Sequence, residues 1–124
     1  MAPTPTPFGD YIRQARLALD AKREGEAAFS LRKIAQRVGI EPSYLSKIER
    51  GEQPPPSEAT IVAIARELDE DKDVLLALAG KVSTDLQDAI RKRPQLFAQL
   101  IRDLKKLPDR AVLRVVREVR DGKW

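Results

Sequence analysis

The chain of 124 residues contains no cysteine and no histidine, and only 5% of its residues are aromatic. The absence of those two residue types excludes disulfides, thiol nucleophiles, imidazole bases and the usual zinc sites. No glycine-rich phosphate loop and no nucleophile beside a base is visible in the sequence either. We therefore expect a protein that is not an enzyme and that uses no cofactor and no metal.

Long apolar runs are also missing from the chain. No stretch approaches the roughly eighteen apolar residues that are needed to span a membrane. The proline-rich start MAPTPTPFG lacks the apolar segment of a signal peptide. We therefore expect a cytoplasmic protein with no membrane association. Hydrophobic residues make up 42% of the chain, which is enough for an aliphatic core.

The most informative stretch is the twenty-residue segment Leu31–Arg50, LRKIAQRVGIEPSYLSKIER. Ile34 lies on the apolar face of a first short predicted helix, and Leu45 and Ile48 lie on the apolar face of a second. Gly39 stands between the two, where a left-handed backbone conformation ends one helix and redirects the chain. This spacing predicts two short helices that cross closely over a sharp turn.

The second of these helices has a polar stripe opposite its apolar side. At about 100° per residue, that stripe contains Ser43, Ser46, Lys47 and Arg50. Short hydroxyls and long cations are suited to base edges and phosphates in a DNA major groove. An ordinary amphipathic helix pair with a solvated polar face is the alternative, but few such pairs would satisfy so many constrained positions. The segment therefore predicts a helix-turn-helix that binds DNA.

The same residues carry a family resemblance. Residues 44–52, YLSKIERGE, resemble the end of the recognition helix in the Cro/cI-type, or XRE, family of phage repressors and bacterial regulators. The likeness extends through Ala79, since the segment from Pro54 resembles the two helices that complete that family's five-helix domain. It implies a transcriptional regulator, commonly a repressor, that binds an inverted repeat of double-stranded DNA as a homodimer. It also implies an ion pair between Arg16 and Glu49.

The chain departs from the family pattern at several places. Leu31 and Arg32 stand where members commonly have Gln or Glu, so contacts by those side chains cannot be transferred. The connection Asp20–Phe29 is longer than usual and mixed in charge. Prolines occupy residues 54–56, where other members often carry basic phosphate contacts. The electrostatic attraction just after the recognition helix is therefore expected to be weak.

Two groups of side chains are the candidates for contact with DNA. Those expected at base edges, with their flanking neighbours, are Ser43, Ser46, Lys47, Pro42 and Tyr44. Those expected at phosphates are Ser30, Arg32, Lys33 and Arg50. Ser30 joins the second group partly because the N-terminus of a helix points free N–H groups outward.

The predicted organisation is all-α, with a five-helix repressor-like DNA-binding domain and a C-terminal helical extension. Residues 1–7 are predicted to be a flexible leader, residues 8–80 the domain and residues 81–124 the extension. The net charge is +3 over residues 1–51, −5 over residues 52–80 and +6 over residues 81–124. The acidic residues concentrate in the segment Glu67–Asp71, away from the recognition helix. The basic tail is either a second phosphate-contacting surface or, as we favour, a solvated face.

The C-terminal extension has broader apolar stripes than a lone pair of helices can cover. Pro94 and Pro108 each stand at the start of a predicted helix, which favours an antiparallel hairpin. Its apolar side chains can pack back on the domain, join two subunits, or bind another protein. The family resemblance suggests a toxin or a metallopeptidase as such a partner. We favour a homodimer interface formed by Leu96, Phe97, Leu100, Ile101, Leu104, Val112, Val115, Val116 and Val119.

Overall fold

The computed structural model describes residues 7–22 and 28–122, and all regular structure within these ranges is helical. The helices are α1 (Pro7–Lys22), α2 (Leu31–Val38), α3 (Pro42–Glu49), α4 (Glu58–Leu68), α5 (Lys72–Leu78), α6 (Thr84–Lys92), α7 (Pro94–Lys105) and α8 (Asp109–Asp121). No strand occurs in the described ranges, which confirms the all-α prediction. Of the predicted leader, residues 1–6 lie outside the described residues, and Pro7 is already the first residue of α1.

The chain forms two compact units, and the boundary between them along the sequence lies between Ser83 and Thr84. The first unit contains α1 to α5, and the second contains α6 to α8. The first unit extends beyond the predicted boundary at Gly80, because Lys81 Nζ donates a hydrogen bond to the Pro56 carbonyl (2.8 Å) and Ser83 is buried. Residues 81–83 thus pack with the five-helix domain.

The core of the first unit is formed by aliphatic side chains and one aromatic ring. Its buried hydrophobic members are Phe8, Ile12, Ile34, Ala35, Leu45, Ile48, Ile61, Ile64, Ala65, Leu68, Leu75 and Leu76. They come from all five helices, with α4 packed against α5 and α2, and with α1 packed against α3. Each fully buried Leu, Ile or Phe side chain stabilises a fold by about 1.5–3 kcal/mol. This core fixes the relative positions of α2 and α3.

The second unit has no buried residue on any of its helices. Its close helix contact is between α6 and α7, and α7 and α8 do not pack closely as the predicted hairpin requires. The candidate interface residues that are partly covered are Phe97, Leu104, Val112 and Val115. Those that remain 44–68% exposed are Leu96, Leu100, Ile101, Val116 and Val119. One helix can cover only one side of its neighbour, so apolar side chains on the remaining sides stay at the surface.

None of the helices in the described ranges combines the length and the apolar character that crossing a membrane requires.

Candidate nucleic-acid interface

The turn between α2 and α3 is built on the left-handed conformation of Gly39. Its φ is 87°, and its N–H donates to the Ala35 carbonyl (2.9 Å), as does the N–H of Ile40 (2.9 Å). A side chain at this φ would strain the backbone, which accounts for glycine at this position. Pro42 then occupies the first turn of α3, where no backbone N–H is needed. These local features set the crossing of the two helices.

The outer side of α3 is polar and open to solvent. Ser43, Lys47 and Arg50 are exposed, and Ser46 is partly exposed. The opposite side is buried through Leu45 and Ile48, so the helix cannot rotate without exposing core side chains. The structure therefore brings the predicted polar stripe together on one accessible face of one rigid helix.

The two flanking candidates are less accessible than the stripe itself. Pro42 is half-buried, and the half-buried ring of Tyr44 packs against the hydrophobic core. Packing of this kind fixes the orientation of α3. Tyr44 therefore supports the position of α3, in addition to flanking its exposed side.

The candidates for phosphate contact at the start of α2 remain at the surface. Arg32 and Lys33 are exposed on the first turn of the helix. The Ser30 hydroxyl oxygen accepts a hydrogen bond from the backbone N–H of Lys33 (3.2 Å) and so caps the helix. Because this bond uses the oxygen as an acceptor, the hydroxyl hydrogen can still be donated to an anion. This helix end therefore combines two exposed cations with hydrogen-bond donors.

Arg50 makes contacts that the sequence did not indicate. Its Nη2 lies 3.1 Å from Glu52 Oε2, and its Nε donates to the Ser46 carbonyl (3.3 Å). The Arg50 and Glu52 side chains are 53% and 34% exposed, so water screens the pair and it is weak. Glu52 nevertheless neutralises part of the positive charge that Arg50 would offer to a phosphate.

Replacing Glu52 with glutamine is expected to strengthen DNA binding, because Arg50 then faces the phosphate without a competing carboxylate. An exposed pair is worth about 0.2–1 kcal/mol, which corresponds to a gain in affinity of about 1.4-fold to fivefold. Titration of labelled duplex DNA measures the change. Glu70→Gln, on the connection between α4 and α5, is the matched control for the loss of one negative charge. Equal gains for both variants would show that the specific contact with Arg50 has no effect.

Behind α3, a buried ion pair ties the helix to α1. Arg16 Nε and Nη2 donate to Glu49 Oε2 and Oε1, both at 2.9 Å, and the side chains are only 10% and 4% exposed. Arg16 Nη1 also donates to the Phe29 carbonyl (3.4 Å). Glu49 is thus directed into the protein, and its negative charge does not face the outer side of α3.

The acidic connection between α4 and α5 contacts α1 on a different side. The Tyr11 hydroxyl donates to Glu70 Oε2 (3.0 Å), and this hydrogen bond with the negative charge of Glu70 raises the pKa of Tyr11 above its ordinary value. Tyr11 precedes Arg13 by two residues, which is about 200° around a helix. Arg13 therefore lies on nearly the opposite side of α1 from the Glu70 carboxylate.

Arg13 is a cation near α3 that sequence reasoning missed. A groove is lined by Arg13, Arg16, Leu31, Ser46, Glu49 and Arg50, which come from α1, α2 and α3. Arg13 precedes Arg16 by three residues, and residues at this spacing are neighbours on one helix face. This spacing could have indicated that Arg13 lies near α3, since Arg16 was already expected to face Glu49 on that helix.

A family described as a helix-turn-helix domain matches residues 7–78, from the first residue of α1 to the last residue of α5. No curated protein and no solved structure is similar to the chain at a significant level. A helix-turn-helix domain indicates a DNA-binding regulator, which agrees with the exposed polar side of α3. Because the match spans more than half of the chain and includes every helix of the first unit, the chain belongs to this family of helix-turn-helix domains.

Proposed function

We propose that the chain is a sequence-specific transcriptional regulator of the XRE type, which acts as a homodimeric repressor on an inverted repeat of double-stranded DNA. One observation carries this proposal. The outer side of α3 presents Ser43, Ser46 and Lys47 to solvent, while its inner side is held by the core and by the Arg16–Glu49 pair. A rigid helix with such a face is what base readout in a groove requires.

The dimensions of α3 suit the DNA major groove. An α-helix with its side chains is about 10–12 Å in diameter, and the major groove is about 12 Å wide, so α3 can enter it. Lys47 can donate to guanine acceptors, and the serine hydroxyls can donate or accept at base edges. Ser30, Arg32 and Lys33 would anchor the N-terminus of α2 to the phosphate backbone and set the register of the protein on the duplex.

The homodimer is supported by the exposed apolar surface of the second unit. Packing of α7 and α8 against the same helices of a second copy would cover the stripes that one copy leaves open. A single α3 touches few bases, so two linked copies also supply the affinity that one lacks. The recognition helices would then be about 34 Å apart, one turn of DNA.

The same exposed helices support a second candidate function. In it, the second unit binds a different protein, such as a toxin or a metallopeptidase, and that partner controls the regulator. Whether it forms a homodimer or binds another protein, the regulator would be a binding module without enzymatic activity. We propose that it acts in the cytoplasm.

Replacing Lys47 with alanine tests the assignment of α3 to base reading. If Lys47 reads a base, the variant is expected to lose about 1–3 kcal/mol of discrimination at one position of each half-site. Lys33→Ala is the matched control, because a phosphate contact should weaken binding equally on every sequence. Selection of preferred sites with the wild type and both variants provides the comparison. Identical preferred sites for the wild type and Lys47→Ala would remove Lys47 from the base-reading residues.

A further inference from the structure

The groove between α1, α2 and α3 has a cation on each of two walls. Arg16 and Glu49, which also line it, neutralise each other in the buried pair. The remaining charges are those of Arg13 on α1 and Arg50 at the end of α3, and both side chains are exposed. Ser46 lines the same groove. The groove therefore brings two exposed arginines and a serine together.

Arg13 forms no ion pair with a carboxylate of the described ranges, unlike Arg16 and Arg50, which line the same groove. Arg16 pairs with Glu49, Arg37 lies 3.9 Å from Glu67, and Arg50 lies 3.1 Å from Glu52. An anion in the groove would be attracted by Arg13 and by the part of the Arg50 charge that Glu52 does not neutralise. An arginine guanidinium is suited to phosphate because its planar fork can donate two parallel hydrogen bonds.

We propose that Arg13 contacts a DNA backbone phosphate that Arg50 approaches from the other wall of the groove. This inference rests on the proposed function, since it assigns a further contact at the same surface. Ser46 links the two, because it belongs both to the base-facing stripe of α3 and to the lining of the groove. With α3 in the major groove, the sugar-phosphate backbone that borders it would run beside Ser46 and reach the groove.

The charge distribution favours DNA as the source of this phosphate. Arg13 and the candidate base-reading residues lie at connected surfaces of α1 and α3, whereas the acidic Glu70 contacts α1 on nearly the opposite side. A polyanion that approaches α3 would therefore meet positive charge at the groove and avoid the acidic connection. Arg13 is thereby a positioning residue, which fixes the protein on the duplex without reading its sequence.

The test compares Arg13→Gln with Arg66→Gln in the full chain. Arg66 is exposed on α4 and does not line the groove, so its substitution removes the same charge elsewhere. Affinity for labelled duplex DNA is measured between about 50 and 200 mM salt, because each phosphate contact adds about 0.9 to the slope of log K against log salt. Arg13→Gln is expected to lower that slope by about one and to weaken binding by about fivefold to tenfold near 0.1 M salt.

Each outcome of this comparison bears on a separate claim. Equal slopes for Arg13→Gln and Arg66→Gln, with a wild type that binds, would overturn the role of Arg13 alone. An altered preferred site for Arg13→Gln would overturn the phosphate assignment in favour of base contact. A wild type that binds no duplex would overturn the proposed function itself. Thermal melts establish that both variants are folded, as expected for exposed side chains.

Discussion

Replacing Arg16 with alanine is expected to lower the free energy of unfolding by about 3–5 kcal/mol, because it leaves a buried carboxylate without its partner. The Glu49 side chain is only 4% exposed and accepts two hydrogen bonds from Arg16. Water cannot replace those bonds without opening the packing between α1 and α3. Glu49→Ala should cost a similar amount, since it leaves the Arg16 guanidinium equally unpaired.

A double-mutant cycle separates this pair from the general effect of truncating two long side chains. Thermal and denaturant unfolding of Arg16→Ala, Glu49→Ala and the double variant give the coupling free energy. The double variant should be less destabilised than the sum of the two single variants. The more exposed Arg37–Glu67 pair between α2 and α4, in the same unit, is the control, for which a coupling of at most about 1 kcal/mol is expected. Strictly additive losses for Arg16 and Glu49 would show that the pair contributes no coupling.

Removal of residues 84–124 is expected to leave a folded monomer that binds DNA weakly and with strong dependence on salt. All buried hydrophobic side chains of the described ranges lie in the first unit, so its core does not need α6 to α8. Truncation after Ser83 also keeps that buried residue and the Lys81–Pro56 hydrogen bond. Without the second unit, nothing would hold the recognition helices of two copies together, so each copy would bind DNA alone.

A point variant tests the same interface in the full chain. Leu100→Asp should weaken self-association on the order of hundredfold or more, because each copy loses an aliphatic contact worth about 1.5–3 kcal/mol. Leu17→Asp on α1 is the matched control, since Leu17 and Leu100 are 41% and 44% exposed. Light scattering on the intact, truncated and point-variant proteins gives the oligomeric state. A monomeric intact protein, or a truncated one that still dimerises, would overturn the homodimer and favour binding of another protein.

The helices around α3 could be predicted because their signals are local. Ser30, Gly39 and Pro42 each act within their own turn of the backbone, through a cap, a left-handed conformation and a fixed φ. The spacing of Ile34, Leu45 and Ile48 predicted which side of each helix is buried, and the structure places all three side chains in the core. The helical class and the helix-turn-helix therefore followed from short stretches of sequence.

The surroundings of α3 could not be predicted in the same way, because they depend on residues that only the fold brings together. The Tyr44 ring lies against the core, and the Arg50 guanidinium lies beside Glu52. Arg13 reaches the groove only because α1 packs against α3. Residues 81–83 join the domain through Pro56, which is far from them in sequence. The periodicity of α1 places Arg13 on the same face as Arg16, but no periodicity within one helix indicates which other helix that face meets.

Selection of preferred sites from a random duplex library, with the full-length protein, tests the central claim most directly. We expect an enriched inverted repeat, with half-site centres about 10–10.5 base pairs apart or at a multiple of that spacing. Enrichment of that kind would require both a base-reading α3 and two linked copies. Retained duplexes with no shared sequence, or no retention at physiological salt, would contradict the account of a sequence-specific regulator.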